Sequence, residues 1–119
     1  MLAGACGHTY GNSSIWQMWV PGRAAILDAK VAWQEALNHP GAFQMGHARR
    51  LFESRPFTQL VPDESFLLDG PHTGGAKVRG AVARDGSFGF VYSPRGEPFT
   101  VRLDVIKALN VQTWWFNPR

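Results

Sequence analysis

Two rhythms divide this chain. Up to Pro56 apolar residues recur every three or four positions, and beyond it they alternate. Ala29, Trp33, Ala36 and Leu37 fall at helical spacing, and Asp28 before them is a residue type that accepts hydrogen bonds from a first helical turn. A helix is therefore expected over 28–38 with Asp28 as its N-cap. Pro40 disfavours helix at His39 but suits the first position of a second helix, expected over 40–54. Within it Ala42, Met45, Ala48 and Phe52 form one stripe, flanked by Phe43, His47 and Leu51. So broad an apolar face is expected to be buried against a large neighbour.

Past Pro56 the period becomes two. Val78, Gly80, Val82 and Arg84 alternate with Ala81 and Ala83, then Asp85-Gly86 precedes Phe88, Phe90 and Tyr92. An Asp-Gly between alternating runs predicts a hairpin with positive φ at both central residues. "SPRGEP" (93–98) marks the next turn, Phe99, Val101, Leu103 and Val105 predict a third strand, and "VQTWWF" (111–116) a fourth. These strands give an antiparallel sheet with one oily face. Adjacent on a strand, Trp114 and Trp115 would point to opposite faces, leaving one as a possible platform.

Neither half is self-sufficient on this reading. One strand and two helices cannot bury their own faces, and a single sheet needs a cover for its apolar side. The expected fold class is α+β in two parts, 1–55 and 56–119, incomplete at both ends, and no internal repeat is present.

Composition narrows the function classes. A chain of 119 residues, 45% hydrophobic and 18% charged, reads as globular. No apolar run approaches the length of a membrane span, and "MLAGACGHTYG" lacks the basic start of a signal peptide. Cys6 is a lone cysteine, which excludes an internal disulfide and leaves the compartment open. The net charge of +3 is spread thinly, with "HARR" (47–50) its only cluster, so neither nucleic acid nor membrane is an expected partner.

The candidate chemistry is sparse. "GPHTGGAK" (70–77) lacks the Gly-Lys-Ser/Thr and following helix of a phosphate loop, and reads as a hairpin loop. Cys6 with His8, His39 with His47, and the isolated His72 do not have the spacing of metal ligands, so no metal or cofactor is expected. "NSS" (12–14) reads as turn chemistry. No nucleophile elbow is present. Glu53 and Asp63 have arginines or a proline beside them and read as arginine-paired structural carboxylates. Nearby arginines lower a carboxyl pKa, which would spoil a glycosidase general acid. That leaves "GHTYGNSSIWQMW" (7–19), whose rings suit the apolar faces of sugars while His8 and Tyr10 offer polar handles. On the other reading, Trp16 and Trp19 simply fill the gap between the two halves.

The motifs "GACGHTYGNSSIWQMW", "PGR", "WQEALNHPGAFQMGHARRLFESRPFTQLVPDES", "DGSFGFVYSPRGEPFTV" and "WWFNPR" together resemble apiosidase-like glycoside hydrolases. The resemblance runs from about residue 3 to 119. It implies a (β/α)8-barrel followed by a β-rich domain named for collagen binding. "GACGHTYG" would be the eighth barrel strand and its loop, the segments 28–38 and 40–54 the eighth barrel helix, and residues from about 56 the accessory domain. In such barrels the two catalytic carboxylates come from the fourth and seventh strands. No carboxylate here matches either motif, so the resemblance assigns no catalytic residue. It places His8 and Tyr10 at the C-terminal face of the barrel and Trp16 on the following loop, as a substrate-binding sugar subsite.

The resulting expectation is the C-terminal part of a polysaccharide-cleaving glycoside hydrolase, inactive alone. Its partners would be a carbohydrate and the rest of the barrel, which is missing from this chain. Alternatives are a polysaccharide- or collagen-binding module, or a β-domain that only braces the barrel through the helix at 40–54.

Overall fold

A computed structural model describes residues 1–117, and Pro118 and Arg119, the close of the "WWFNPR" motif, lie outside the described residues. The chain is a mixed α+β structure with antiparallel sheets. It divides into a β unit, Met1–His8 with Ser54–Trp115, and a helical unit, Thr9–Glu53 with Phe116 and Asn117.

In the β unit, β1 (Leu60–Pro62), β3 (Arg79–Ala83) and β4 (Gly89–Tyr92) form one sheet in the order β1-β3-β4. A second sheet pairs β2 (Leu67–Asp69) with β5 (Thr100–Val101). The alternation of residues 78–92 does mark a hairpin, with Gly80 opposite Val91 and Ala81 opposite Phe90. Its turn differs from the expected one. Ala83 N–H donates to Phe88 O at 2.8 Å and Gly86 N–H to Ala83 O at 2.8 Å, so the loop holds four residues and only Gly86 has positive φ (+75°). The Asp85 carboxylate accepts from Ser87 N–H at 2.9 Å and Ser87 Oγ at 2.7 Å, which holds the loop open at that length.

The core of this unit is small: Phe66, Val78, Ala81, Val82 and Ala83. Phe66 fills a hollow made by two glycines. A Cβ on Gly80 would stand 3.1 Å from Phe66 Cδ1, and one on Gly89 3.0 Å from Cε1. These glycines are therefore places where a ring approaches the sheet backbone.

Several expected strands are corrected. The short β1 and β2 were not anticipated, because three residues give no readable period; Pro62 is tolerated because β1 is an edge strand. The third strand shrinks to Thr100–Val101, since Leu103–Val105 turns in a 3₁₀ turn that leads Lys107 N–H to Gly86 O at 2.9 Å. No strand forms over 111–116 among the described residues: that segment has no neighbour hydrogen-bonded to it as a ladder. Trp114 and Trp115 are both exposed, at 69% and 80%. Residues 70–77 form a loop, but it joins strands of different sheets and is not a hairpin loop.

In the helical unit the elements are α1 (Ser13–Trp16), α2 (Trp33–Ala36) and α3 (Pro40–Glu53). Helix α3 starts on Pro40, as its sequence predicts. The helix expected over 28–38 is a single turn entered from Ala32, whose extended ψ of 143° ends any helix before it. Asp28 caps nothing and pairs with Lys30 at 3.0 Å. The expected strand at "GACGHTYG" is also absent among the described residues; a strand needs a neighbour for its backbone groups, and none pairs here. The stripe on α3 is only half-buried, and Phe43 is 62% exposed, so among the described residues no large neighbour covers it.

Candidate functional site

The aromatic stretch near the start is organised by small polar contacts. The Asn12 side-chain oxygen accepts from Ser14 N–H at 3.0 Å and Ile15 N–H at 3.3 Å, capping α1 as the turn chemistry of "NSS" predicts. Its amide lies 3.2 Å from His39 Nδ1, which ties the start of α1 to the residue just before α3. Gln17 then does what no sequence pattern announced. Its amide donates to Ser13 O at 2.6 Å and Ile26 O at 2.7 Å, and its oxygen accepts from Ile26 N–H at 2.9 Å. Trp19 Nε1 donates to Arg23 O at 3.0 Å, and Trp19 O accepts from Trp33 N–H at 2.9 Å. A glutamine has no periodic signature, so only three-dimensional proximity exposes this role.

The three predicted substrate-facing residues fall as follows. His8 is exposed in the β unit, whereas Tyr10 and Trp16 share the helical unit. The Tyr10 ring rests against Gly41 in the first turn of α3. Trp16, at the end of α1, is 55% exposed.

The carboxylates are mostly committed to structure. Glu53 pairs with Arg49 one helical turn earlier at 2.8 Å, as its arginine-rich neighbourhood suggests. Asp63 is not arginine-paired: it caps the turn Glu64–Phe66, accepting from Ser65 N–H at 2.9 Å and Ser65 Oγ at 2.7 Å. Glu64 receives Lys77 at 2.5 Å and Arg79 at 3.2 Å. The Lys77 hydrogen bond and charge, with a smaller contribution from Arg79, hold its carboxyl below the ordinary range. Asp85 is lowered as well, first by the Ser87 hydroxyl and then by the Ser87 N–H. A general acid needs the opposite shift. Cys6 is exposed, and among the described residues no three His, Cys, Asp or Glu side chains converge on a common point.

Comparison with known proteins agrees with the motifs. Residues 1–59 match the family model "Apiosidase-like, catalytic domain", and residues 61–119 match "Putative collagen-binding domain of a collagenase". The chain matches part of an apiosidase-like glycoside hydrolase. Among solved structures, the chain is similar to a "Glycoside hydrolase" at 33% identity and a TM-score of 0.80. It is also similar to a glycoside hydrolase family 5 protein from Bacteroides vulgatus ATCC 8482, at 30% identity and a TM-score of 0.79. Both alignments cover 89% of this chain and 23% of the other protein, so it spans about a quarter of their length. Among curated proteins nothing matches. His8, Tyr10 and Trp16 all lie within the span matched to the catalytic-domain model.

Proposed function

We propose that this chain is the C-terminal part of a glycoside hydrolase that cleaves polysaccharide by double displacement. On this reading residues 1–55 are the last strand-helix unit of a (β/α)8-barrel, and 56–119 a sandwich-like accessory domain. The observation that carries the proposal is the match at 33% identity over 89% of the chain to a glycoside hydrolase of which it spans 23%. His8, Tyr10 and Trp16 line a sugar subsite at the mouth of the complete barrel, which supplies both catalytic carboxylates from elsewhere. The rings hold the sugar and exclude water, while the imidazole and phenol orient its hydroxyls. On this reading the chain alone is inactive, because no carboxylate in it matches either catalytic motif.

The test has two arms. The purified chain is assayed on aryl glycosides and apiose-containing polysaccharide, where measurable hydrolysis overturns the claim of inactivity. A chimera then joins it behind the remaining three quarters of the structurally similar glycoside hydrolase. Activity in the chimera, with KM raised about tenfold by Tyr10→Ala or Trp16→Ala, supports the subsite. An unchanged KM removes these residues from it.

The exposed pair Trp114 and Trp115 favours a second reading, a polymer-binding module. Arg55 lies 5.6 Å over the Trp114 ring, and Phe99 meets the Trp115 ring edge-on at 5.9 Å, so both indoles have support from below. A pull-down on insoluble polysaccharide and on collagen, with both tryptophans replaced by alanine, separates the two ligands. Binding of neither leaves the bracing role.

A further inference from the structure

The Asn12 amide is committed at its oxygen. Ser14 N–H and Ile15 N–H both donate to Oδ1, at 3.0 and 3.3 Å, so the nitrogen is the end left for other partners. That nitrogen stands 3.2 Å from His39 Nδ1. An amide nitrogen only donates, so the ring nitrogen must accept, and an accepting Nδ1 carries no proton. The cap of α1 thereby fixes the state of a histidine 27 residues away: neutral, with its proton on Nε2.

The histidine is seated in the joint between α2 and α3. His39 N–H donates to Ala36 O at 3.2 Å, and His39 O accepts from Ala42 N–H at 2.9 Å. Both His39 and Asn12 are half-buried. Charge around the contact is sparse. Helix α1 has no charged residue, and α2 contributes Glu35, four positions before the histidine. At the start of α3 the neutral Tyr10 phenol lies against Gly41. Among the described residues no ion pair includes His39 or Glu35.

We infer that His39 is a pH-sensitive fastener, which holds the N-cap of α1 only while its ring is neutral. A proton on Nδ1 sets two donors, the ring N–H and the Asn12 amide, against each other at hydrogen-bond distance. The contact then parts, or the amide turns over. Turning gives His39 an acceptor but points the amide nitrogen at Ser14 N–H and Ile15 N–H. Ser14 is buried, so water does not readily replace the oxygen its N–H has lost. Histidine changes charge between about pH 5 and 8, so the fastener opens in mild acid. Helix α1 ends on Trp16; that its release also disturbs a sugar subsite rests on the functional reading above, whereas the fastener itself does not.

The full chain is labelled with nitrogen-15, and its imidazole and amide nitrogens are followed from about pH 8 to about pH 5. At the alkaline end His39 is expected to carry its proton on Nε2, and a proton on Nδ1 overturns the inference. On acidification the Ser14 and Ile15 amides should shift together with the His39 ring and exchange with solvent severalfold faster. His39→Gln keeps an acceptor for the amide but takes no proton. It should abolish this response while His8, His47 and His72 still titrate. Asn12→Asp caps α1 with one oxygen and offers the other to a protonated ring, so acid should there tighten the cap. An unchanged acid response in His39→Gln, or acid release in Asn12→Asp, overturns the inference. Should either variant fail to fold, the position of the ring proton in the unaltered chain decides. None of these readouts involves a sugar. Failure of the chimera therefore leaves the fastener standing, and failure here leaves the subsite to the KM measurements.

Discussion

The Tyr10 ring rests on the bare Cα of Gly41: a Cβ there would stand 3.0 Å from the phenol oxygen and 3.1 Å from Cε2. Alanine inside a helix normally gains about 0.5–1 kcal/mol over glycine. At position 41 that gain should be cancelled, because the Tyr10 ring must move aside. In a Tyr10→Ala background, Gly41→Ala should recover it. Urea unfolding of the four proteins gives the coupling, expected to be about 0.5 kcal/mol or more. An identical effect of Gly41→Ala in both backgrounds would show that the ring does not constrain the helix.

Gly86 and Gly74 both have positive φ, +75° and +61°, but their surroundings differ. At Gly74 a Cβ meets nothing within 4 Å, whereas at Gly86 it meets Lys107 Cγ at 2.9 Å and the Val105 carbonyl at 3.1 Å. Gly74→Ala should cost only the left-handed backbone strain, about 1–2 kcal/mol. Gly86→Ala should cost about 1 kcal/mol more, since the Val105 backbone cannot swing away as a side chain does. Denaturant midpoints of the two variants order them directly.

Acid should weaken the β unit in two steps. Glu64 is held below its ordinary value of 4.5 by Lys77 and Arg79, and Asp85 below 3.8 by Ser87. A carboxyl whose pKa is depressed on folding stabilises the fold above its unfolded value, and loses that contribution as the pH falls through the folded one. The melting temperature should thus begin to fall near pH 4.5. Glu64→Gln should flatten the upper part of that decline and Asp85→Asn the lower. Added salt should shrink the Glu64 effect, since this pair is open to solvent.

Gln17→Ala removes three contacts at once, to Ser13 O, Ile26 O and Ile26 N–H. Residues 18–25 are then anchored at one end only, where Met18 N–H donates to Ile15 O at 3.0 Å, Trp19 N–H to Ser14 O at 2.9 Å and Trp33 N–H to Trp19 O at 2.9 Å, with Trp19 Nε1 to Arg23 O and Arg23 N–H to Val20 O at 3.2 Å inside the loop. Tryptic cleavage after Arg23 should accelerate severalfold, while α3 remains helical by circular dichroism. Unchanged cleavage would mean that Gln17 is not what secures this loop.

What the sequence made legible was local. Pro40 announces α3 and Asp85-Gly86 announces the β3–β4 hairpin, because each residue limits its own backbone angles. The strands expected at "GACGHTYG" and 111–116, and the helix expected from Asp28, depended on distant partners that periodicity cannot supply. For the same reason the apolar stripe on α3 is present while its predicted cover is not. The hairpin loop departs from a two-residue turn through one contact, the Asp85 carboxylate on Ser87, which favours four loop residues. The resemblance to a family is carried by long motifs. The Gln17 and Asn12 contacts could not, since a single amide side chain carries no pattern.

Gln17 has one more consequence. By giving a hydrogen bond to Ile26 O and taking one from Ile26 N–H, its side chain behaves as a strand one peptide long. Conversion of that amide to an acid, as in slow chemical ageing, would delete the donor and set a negative oxygen against a carbonyl. The exchange rate of one proton, Ile26 N–H, therefore records whether the 18–25 loop is latched, and whether the molecule is young.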